Sequence, residues 1–137
     1  MSDPGGAVAP AEIVCGLLIR DGEALLVHRT PDRAVFPGVW DFPGGHVEPG
    51  ESGPAALVRE LAEELDVVIA APSGDPDLEL EDDGWHLRVW VVTDWTGTPR
   101  NVQPDEHDDL AWFGLEAAVG LDFADPEYRD LLAAALA

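Results

Sequence analysis

The sequence predicts one α/β (α+β) domain with a mixed β-sheet, and three observations lead to this fold class. The chain has 137 residues, of which 46% are hydrophobic, and this is enough to bury a single core. Short apolar runs of strand character alternate with two longer segments of helical character. Turn signals such as Asp21-Gly22 separate these segments.

The individual elements follow from local composition. Apolar runs at residues 13–19 and 24–28 flank Asp21-Gly22 and predict a hairpin. A strand at 85–95 places Leu87, Val89 and Val91 on one face. The other predicted elements are a loop at 30–40, a helix at 53–65, a short strand at 67–71, an acidic connection at 72–84 with room for one edge strand, a loop at 103–109, a strand at 110–113, a helical turn at 116–119 and a C-terminal helix at 126–136.

Net charge and hydropathy restrict the partners. The formal net charge is −21 at pH 7, with seven arginines and no lysine. Such a surface repels phosphate backbones, so we expect no nucleic-acid polymer as a partner. The apolar runs are shorter than the roughly 20 residues of a membrane-spanning helix, so we expect no membrane association either.

The N-terminus and the single cysteine indicate the compartment. Residues 1–10 lack the basic and apolar segments of a secretion signal, and we expect them to form a flexible tail before one domain at 11–137. Cys15 is the only cysteine, which excludes an internal disulfide, and its apolar neighbours predict a buried side chain. A cytoplasmic location fits these features best.

The predicted helix at 53–65 has a defined start and an apolar stripe. Ser52 is a suitable N-cap, and a proline at position 54 is tolerated in the first turn. Leu57, Leu61 and Leu65 lie one turn apart and form the stripe that faces the core.

The same helix carries three glutamates in an unfavourable position. Glu60, Glu63 and Glu64 lie in its last two turns, along the edge of the buried face, where the helix dipole favours cations. Either they form a solvated acidic face, or a divalent cation compensates their charge, since Mg²⁺ prefers carboxylate oxygens. The preceding loop favours the cation, because Gly44-Gly45 allows close approach of the backbone to a ligand while prolines stiffen the loop.

Residues 45–67 resemble the Nudix box. Gly45 is followed at the family's spacing by Glu51, then Arg59-Glu60-Leu61, Glu63-Glu64 and Val67. Asp66, where the family has glycine, is the only departure among the nine defined positions. The resemblance implies a Nudix-type α/β/α sandwich that hydrolyses nucleoside diphosphates linked to another moiety, using Mg²⁺ or Mn²⁺.

The resemblance also implies roles for individual residues. It assigns the metal to the carboxylates of Glu60, Glu63, Glu64 and Glu106 and to the backbone carbonyl of Gly44. Arg59 is expected to orient the neighbouring acids, and Glu51 to join that network. Asp66 is expected to adopt the left-handed backbone of a helix C-cap, with a small stability loss and no effect on the chemistry.

Four further residues are candidates for substrate binding. Arg29 matches an arginine that contacts phosphate or the nucleotide, with a surface ion pair as the alternative. His46 stands where relatives carry a lysine near the phosphates. Asp125 lies where relatives read the base, with a helix cap as the alternative, and Trp40 is placed to line the site. His28, His86 and His107 lack metal-ligand spacing, and we expect structural roles for them.

Segments outside the box resemble the MutT-like branch of the family. That branch cleaves nucleoside triphosphates, including oxidised dGTP, to monophosphate and pyrophosphate. Alternatives are a pyrophosphatase for a nucleoside diphosphate sugar or a dinucleoside polyphosphate, and a non-catalytic nucleotide sensor. The sequence leaves open whether the chain is a monomer or a homodimer.

Overall fold

A computed structural model describes residues 10–34, 36–123 and 125–137. The strands are β1 (Ala11–Arg20), β2 (Glu23–Arg29), β3 (Trp40–Asp41), β4 (Gly44–His46), β5 (Leu78–Asp82), β6 (Trp85–Val92) and β7 (His107–Gly114), and the helices are α1 (Gly53–Leu65), α2 (Leu115–Val119) and α3 (Glu127–Leu136). The tail expected at residues 1–10 lies outside the described residues, except for Pro10.

The strands form a mixed sheet in the order β3-β2-β1-β6-β5, with β4 also paired to β1 and β7 to β2. Strands β1 and β6 run parallel, and the other pairs are antiparallel. Strand β1 pairs with β2 only at its end, through Ile19 and Arg20, whereas its first half pairs with β4. The two halves of the sheet therefore separate between β1 and β2, and the functional groove opens there.

Helices cover both faces of the sheet, as expected for an α/β/α sandwich. Alternate residues of β1 point to opposite faces: Val14 and Leu18 pack with α1, whereas Cys15 and Leu17 pack with α2 and α3. Cys15 is buried, as its neighbours predict. The sandwich and its mixed sheet confirm the predicted fold class.

Helix α1 spans the predicted residues. The Ser52 hydroxyl accepts a hydrogen bond from the Ala55 amide at 3.1 Å, which confirms it as the N-cap. A Cβ atom at Gly16 would lie 3.1 Å from the Leu61 side chain, so the glycine lets the helix pack closely on β1. This close packing fixes the edge of α1 that carries the glutamates.

The structure departs from the predicted elements at several places, among them the end of β6, which stops at Val92 rather than at residue 95, and the unpredicted strand β3. Residues 67–71 do not form the predicted strand. Only Val68 pairs with another segment, in a single bridge to Thr96. Strand β7 begins at His107 rather than at residue 110, since backbone pairing with β2 extends through acidic residues that resemble a loop in sequence. Strand β4 was not predicted, because its glycines are typical of loops.

Among the described residues, no helix is long and apolar enough to cross a membrane.

Asp66 has the left-handed backbone predicted for it, with φ 60° and ψ 40°. A non-glycine residue there costs on the order of 1 kcal/mol. Its carboxylate lies 3.1 Å from Arg100, but both side chains are well exposed, so this pair contributes little.

We expect Asp66→Gly to raise the free energy of unfolding by up to about 1 kcal/mol, because glycine adopts this backbone without strain. Urea denaturation measures the change, and catalytic turnover should stay the same. Asp66→Ala is the control, since it removes the carboxylate and keeps the strain. A stability gain from alanine as large as that from glycine would contradict the explanation.

Candidate active site

A groove of about 1130 Å³ opens beside the acidic edge of α1. Glu60, Glu63 and Glu64 line one side of it, and β4 runs along its floor. The opposite side consists of the ends of β2 and β7 with the loops around them, from which Arg29, Arg33, Glu106 and His107 face the groove. The acids that lie far apart in sequence therefore share one cavity.

Arg59 connects the acids of the outer rim. Its guanidinium donates two hydrogen bonds to Glu51, at 2.8 and 3.0 Å, one to Glu63 at 2.8 Å and one to Glu60 at 3.3 Å. It also donates to the backbone carbonyl of His46 at 3.0 Å, which ties α1 to β4. The hydrogen bond with Glu51 raises the pKa of Arg59 and lowers that of Glu51. Arg59 thus holds like charges together and orients them.

Glu64 is the innermost acid of the helix. Its side chain is 3% exposed and accepts a hydrogen bond from the Gly44 amide at 2.9 Å. Burial, followed by the nearby charge of Glu60, raises the pKa of Glu64 to about 9. Burial also raises the pKa of Glu60. One buried and one partly buried acid whose pKa values rise in this way fit a site that receives positive charge from a cation.

The glycines of β4 bring the backbone against both β1 and the acids. A Cβ atom at Gly44 would overlap the Val14 carbonyl oxygen, and one at Gly45 would collide with the Glu60 carboxylate. Gly44 therefore needs to be glycine because the backbone of β1 leaves no space, whereas the neighbour of Gly45 is the end of a flexible side chain, which can move. The sequence pattern indicated close approach here, but not that the neighbours are a strand and a carboxylate.

Glu106 and His107 supply the opposite side. The two residues and Glu64 offer ligand atoms that all lie within 4.8 Å of one another. The Arg33 guanidinium donates to the Glu106 backbone carbonyl at 3.1 Å and lies 3.8 Å from its carboxylate. Burial and the two nearby arginines lower the pKa of His107 to about 4. Spacing in the sequence gave no sign that His107 would reach this cluster.

Arg29 lies on the opposite side of the groove from α1, beside a partly buried carboxylate that the sequence did not indicate. Its Nη1 atom lies 3.7 Å from Asp41, and its Nε donates to the Phe36 carbonyl at 3.0 Å. Burial raises the pKa of Asp41 to about 6 and lowers that of Arg29. The buried Tyr128 of helix α3 lines the groove together with Asp41, which links this helix to the groove.

The remaining candidates for substrate binding divide into two groups. His46 and Asp125 line the groove, although Asp125 also accepts a hydrogen bond from the Glu127 amide at 2.9 Å, as in a helix cap. Trp40 instead packs edge-on against His28 and Phe113, and it is not among the residues that line the groove. Trp85, in contrast, lines the groove.

Comparison with known proteins agrees with this geometry. The family model described as the NUDIX domain matches residues 9–135. The CTP pyrophosphohydrolase of Escherichia coli K12 is 40% identical over 110 residues, covering 79% of this chain and 78% of that protein. The nucleoside triphosphatase NudI of Escherichia coli O81 is 36% identical over 121 residues, covering 80% and 86%.

The chain belongs to the Nudix family.

Solved structures agree with the assignment. The solution structure of the Escherichia coli ORF135 protein matches with a TM-score of 0.73 and 35% identity, covering 98% of this chain and 94% of that one. The crystal structure of the MutT NUDIX hydrolase from Burkholderia pseudomallei matches with a TM-score of 0.72 and 30% identity, covering 92% and 98%. The protein is therefore a Nudix hydrolase of the MutT-like type, an enzyme that acts on phosphoanhydrides.

Nudix hydrolases generally need a divalent metal, and the residues of this groove fit one. The donors are mostly hard carboxylate oxygens, which suit a dication. Within the described residues, the almost fully buried Glu64 carboxylate accepts one hydrogen bond, from the Gly44 amide. A bound cation would supply the positive charge that the protein does not.

We expect Glu64→Gln to stabilise the protein in the presence of a chelator. The pKa of Glu64 rises from 4.5 in the unfolded chain to about 9 in the fold, so the folded state keeps a proton that the unfolded state releases. The free energy of unfolding of the wild type should therefore fall as pH rises between these values. The free energy of unfolding of Glu64→Gln should not show this decrease with pH. At pH 8 it should exceed that of the wild type by roughly 1–3 kcal/mol.

Thermal unfolding with and without Mn²⁺ completes this test. The metal should stabilise the wild type more than Glu64→Gln, because the variant lacks the Glu64 carboxylate as a metal ligand. Glu116→Gln, an exposed acid on α2, is the matched control and should behave like the wild type. A variant that is less stable than the wild type in chelator at pH 8 would show that Glu64 is a structural acid.

Proposed function

We propose that this Nudix hydrolase cleaves a phosphoanhydride of a nucleoside triphosphate, including oxidised dGTP, to a monophosphate and pyrophosphate with Mg²⁺ or Mn²⁺. The observation that carries the proposal is the convergence of Glu60, Glu64 and Glu106 on one groove, where two of these acids are largely buried. The names of the two relatives, a pyrophosphohydrolase and a nucleoside triphosphatase, support the same reaction.

The acids of the groove have separate tasks in this reaction. Glu60, Glu63, Glu64, Glu106 and the Gly44 carbonyl would hold the cation. When bound, the cation supplies positive charge against the phosphate oxygens and makes water more acidic. Arg59 keeps Glu60 and Glu63 in place through its hydrogen bonds. Glu60, Glu63 and Glu106 are the alternatives for the base that accepts the proton of the attacking water.

The other side of the groove would bind the nucleotide. Arg29 lies between Asp41 and the Phe36 carbonyl, and it presents a planar cation suited to phosphate. His46 and Asp125 are the proposed contacts to the phosphates and to the base. A carboxylate at position 125 accepts hydrogen bonds from amino groups, which suits guanine without excluding other bases that carry such a group.

A nucleoside diphosphate sugar or a dinucleoside polyphosphate is the alternative substrate, and the groove is large enough for either. The products distinguish them, because only a triphosphate releases pyrophosphate together with a nucleoside monophosphate. A non-catalytic sensor is a weaker alternative, since every acid of the box is present and faces the groove or Arg59.

We expect Glu63→Gln and Glu64→Gln each to lower kcat by two orders of magnitude or more, because each removes a proposed metal ligand. The measurement is metal-dependent pyrophosphate release over a panel of nucleoside triphosphates, with products identified by chromatography. Glu127→Gln, an exposed acid on α3, is the control and should keep wild-type kinetics. Unchanged turnover in both site variants would remove the active-site assignment.

We expect Arg29→Gln to raise KM by roughly tenfold to a hundredfold, since a hydrogen bond to a charged group contributes about 1.5–3 kcal/mol. The change in kcat should be smaller if the arginine binds the ground state and the transition state alike. Arg100→Gln is the control, because Arg100 is 65% exposed and pairs only with Asp66 among the described residues. A lower kcat at constant KM would instead place Arg29 in the chemistry.

A further inference from the structure

His107 is a buried imidazole that faces the metal side of the groove. It is the first residue of β7, its side chain is 6% exposed, and it lines the groove together with Glu64 and Glu106. Its backbone is fixed by pairing with Arg29 of β2, and its carbonyl accepts a hydrogen bond from Asn101 at 2.7 Å. The ring therefore has a defined position.

The ring of His107 lacks the partner that a buried imidazole usually has. Within the described part of the chain, neither ring nitrogen forms a hydrogen bond. By contrast, His28 pairs with Asp108, and His86 lies between Glu12 and Glu79. The ring nitrogens are not among the fully buried atoms that lack a partner, so they are open to the groove, where a ligand can reach them.

The surroundings of the ring have the dimensions of a metal site. One ring nitrogen and one carboxylate oxygen each from Glu64 and Glu106 lie within 4.8 Å of one another. Two donors on opposite sides of a dication, each about 2.1–2.3 Å away, are separated by at most about 4.5 Å. The Glu106 side chain is 46% exposed, so a small rotation of it is enough to bring the three ligand atoms within coordination distance of one cation.

We propose that His107 is a nitrogen ligand of the metal held by Glu64 and Glu106, and that this donor set favours a first-row transition dication such as Mn²⁺ over Mg²⁺. Magnesium takes oxygen ligands almost exclusively, whereas imidazole binds first-row transition metals well. The proposal refers to the same site as the proposed hydrolysis and rests on that site holding a dication. It adds a ligand that lies outside the box and a preference among metals.

Electron spin-echo envelope modulation, a pulsed form of electron paramagnetic resonance, tests the ligand of bound Mn²⁺ directly. A coordinated imidazole modulates the echo through its ¹⁴N coupling, and carboxylates do not. Because Glu79, Glu81 and His86 form a second, exposed group of possible ligands, the measurement uses the His86→Gln background. We expect a ¹⁴N coupling in the His86→Gln protein. The coupling should persist when His46→Gln is added and should disappear when His107→Gln is added.

Isothermal titration calorimetry in the same background tests the preference. His107→Gln should weaken Mn²⁺ binding by about tenfold or more and Mg²⁺ binding by much less, so that the ratio of the two affinities falls. His46→Gln is the matched control, since it removes another imidazole from the groove. Circular dichroism checks that each variant is folded.

Two results would overturn the inference. One is the absence of a ¹⁴N coupling in the His86→Gln protein, which requires no change at His107 and therefore does not depend on the stability of that variant. The other is a coupling that survives His107→Gln. In both cases metal-dependent pyrophosphate release by the wild type would still support the proposed function. If the wild type instead showed the ¹⁴N coupling but released no pyrophosphate, the result would count against the proposed function and not against the ligand.

Discussion

The structure of the site depends on one electrostatic constraint, which is the burial of a carboxylate among other carboxylates. Glu64 is almost fully buried and Glu60 lies beside it, and burial raises the pKa of both. A helix selected only for stability would not carry these acids in its last turns, where the dipole is negative. The arrangement is favourable when a cation is present, so the fold and the chemistry share the same requirement.

Arg59 makes the acidic cluster compatible with a folded protein. It is the one arginine of α1, and it contacts Glu51, Glu60 and Glu63 while also bonding to the His46 carbonyl. A planar guanidinium provides these bonds at fixed angles, which an ammonium does not. The same group therefore reduces repulsion, joins the helix to β4 and sets the direction of the acids.

The separation of β1 from β2 creates the space in which these charges act. Strand β4 occupies one side of the gap, and it approaches β1 so closely that Gly44 has no room for a Cβ atom. Arg29 and Arg33 lie on the other side. In a chain with a net charge of −21, these two arginines give an anionic substrate a local partner that most of the surface does not offer.

The sequence alone determined the fold class, the span of α1, its Ser52 cap and the acidic edge, because these depend on spacing within a short segment. It also predicted the left-handed Asp66. It did not reveal that Asp41 and Tyr128 lie under the groove, or that His107 joins Glu64 and Glu106. Those contacts join residues from different strands and helices, and only the pairing of β2 with β3 and β7 and the docking of α3 bring them together. Local periodicity carries no information about such pairings, so the tertiary structure decided them.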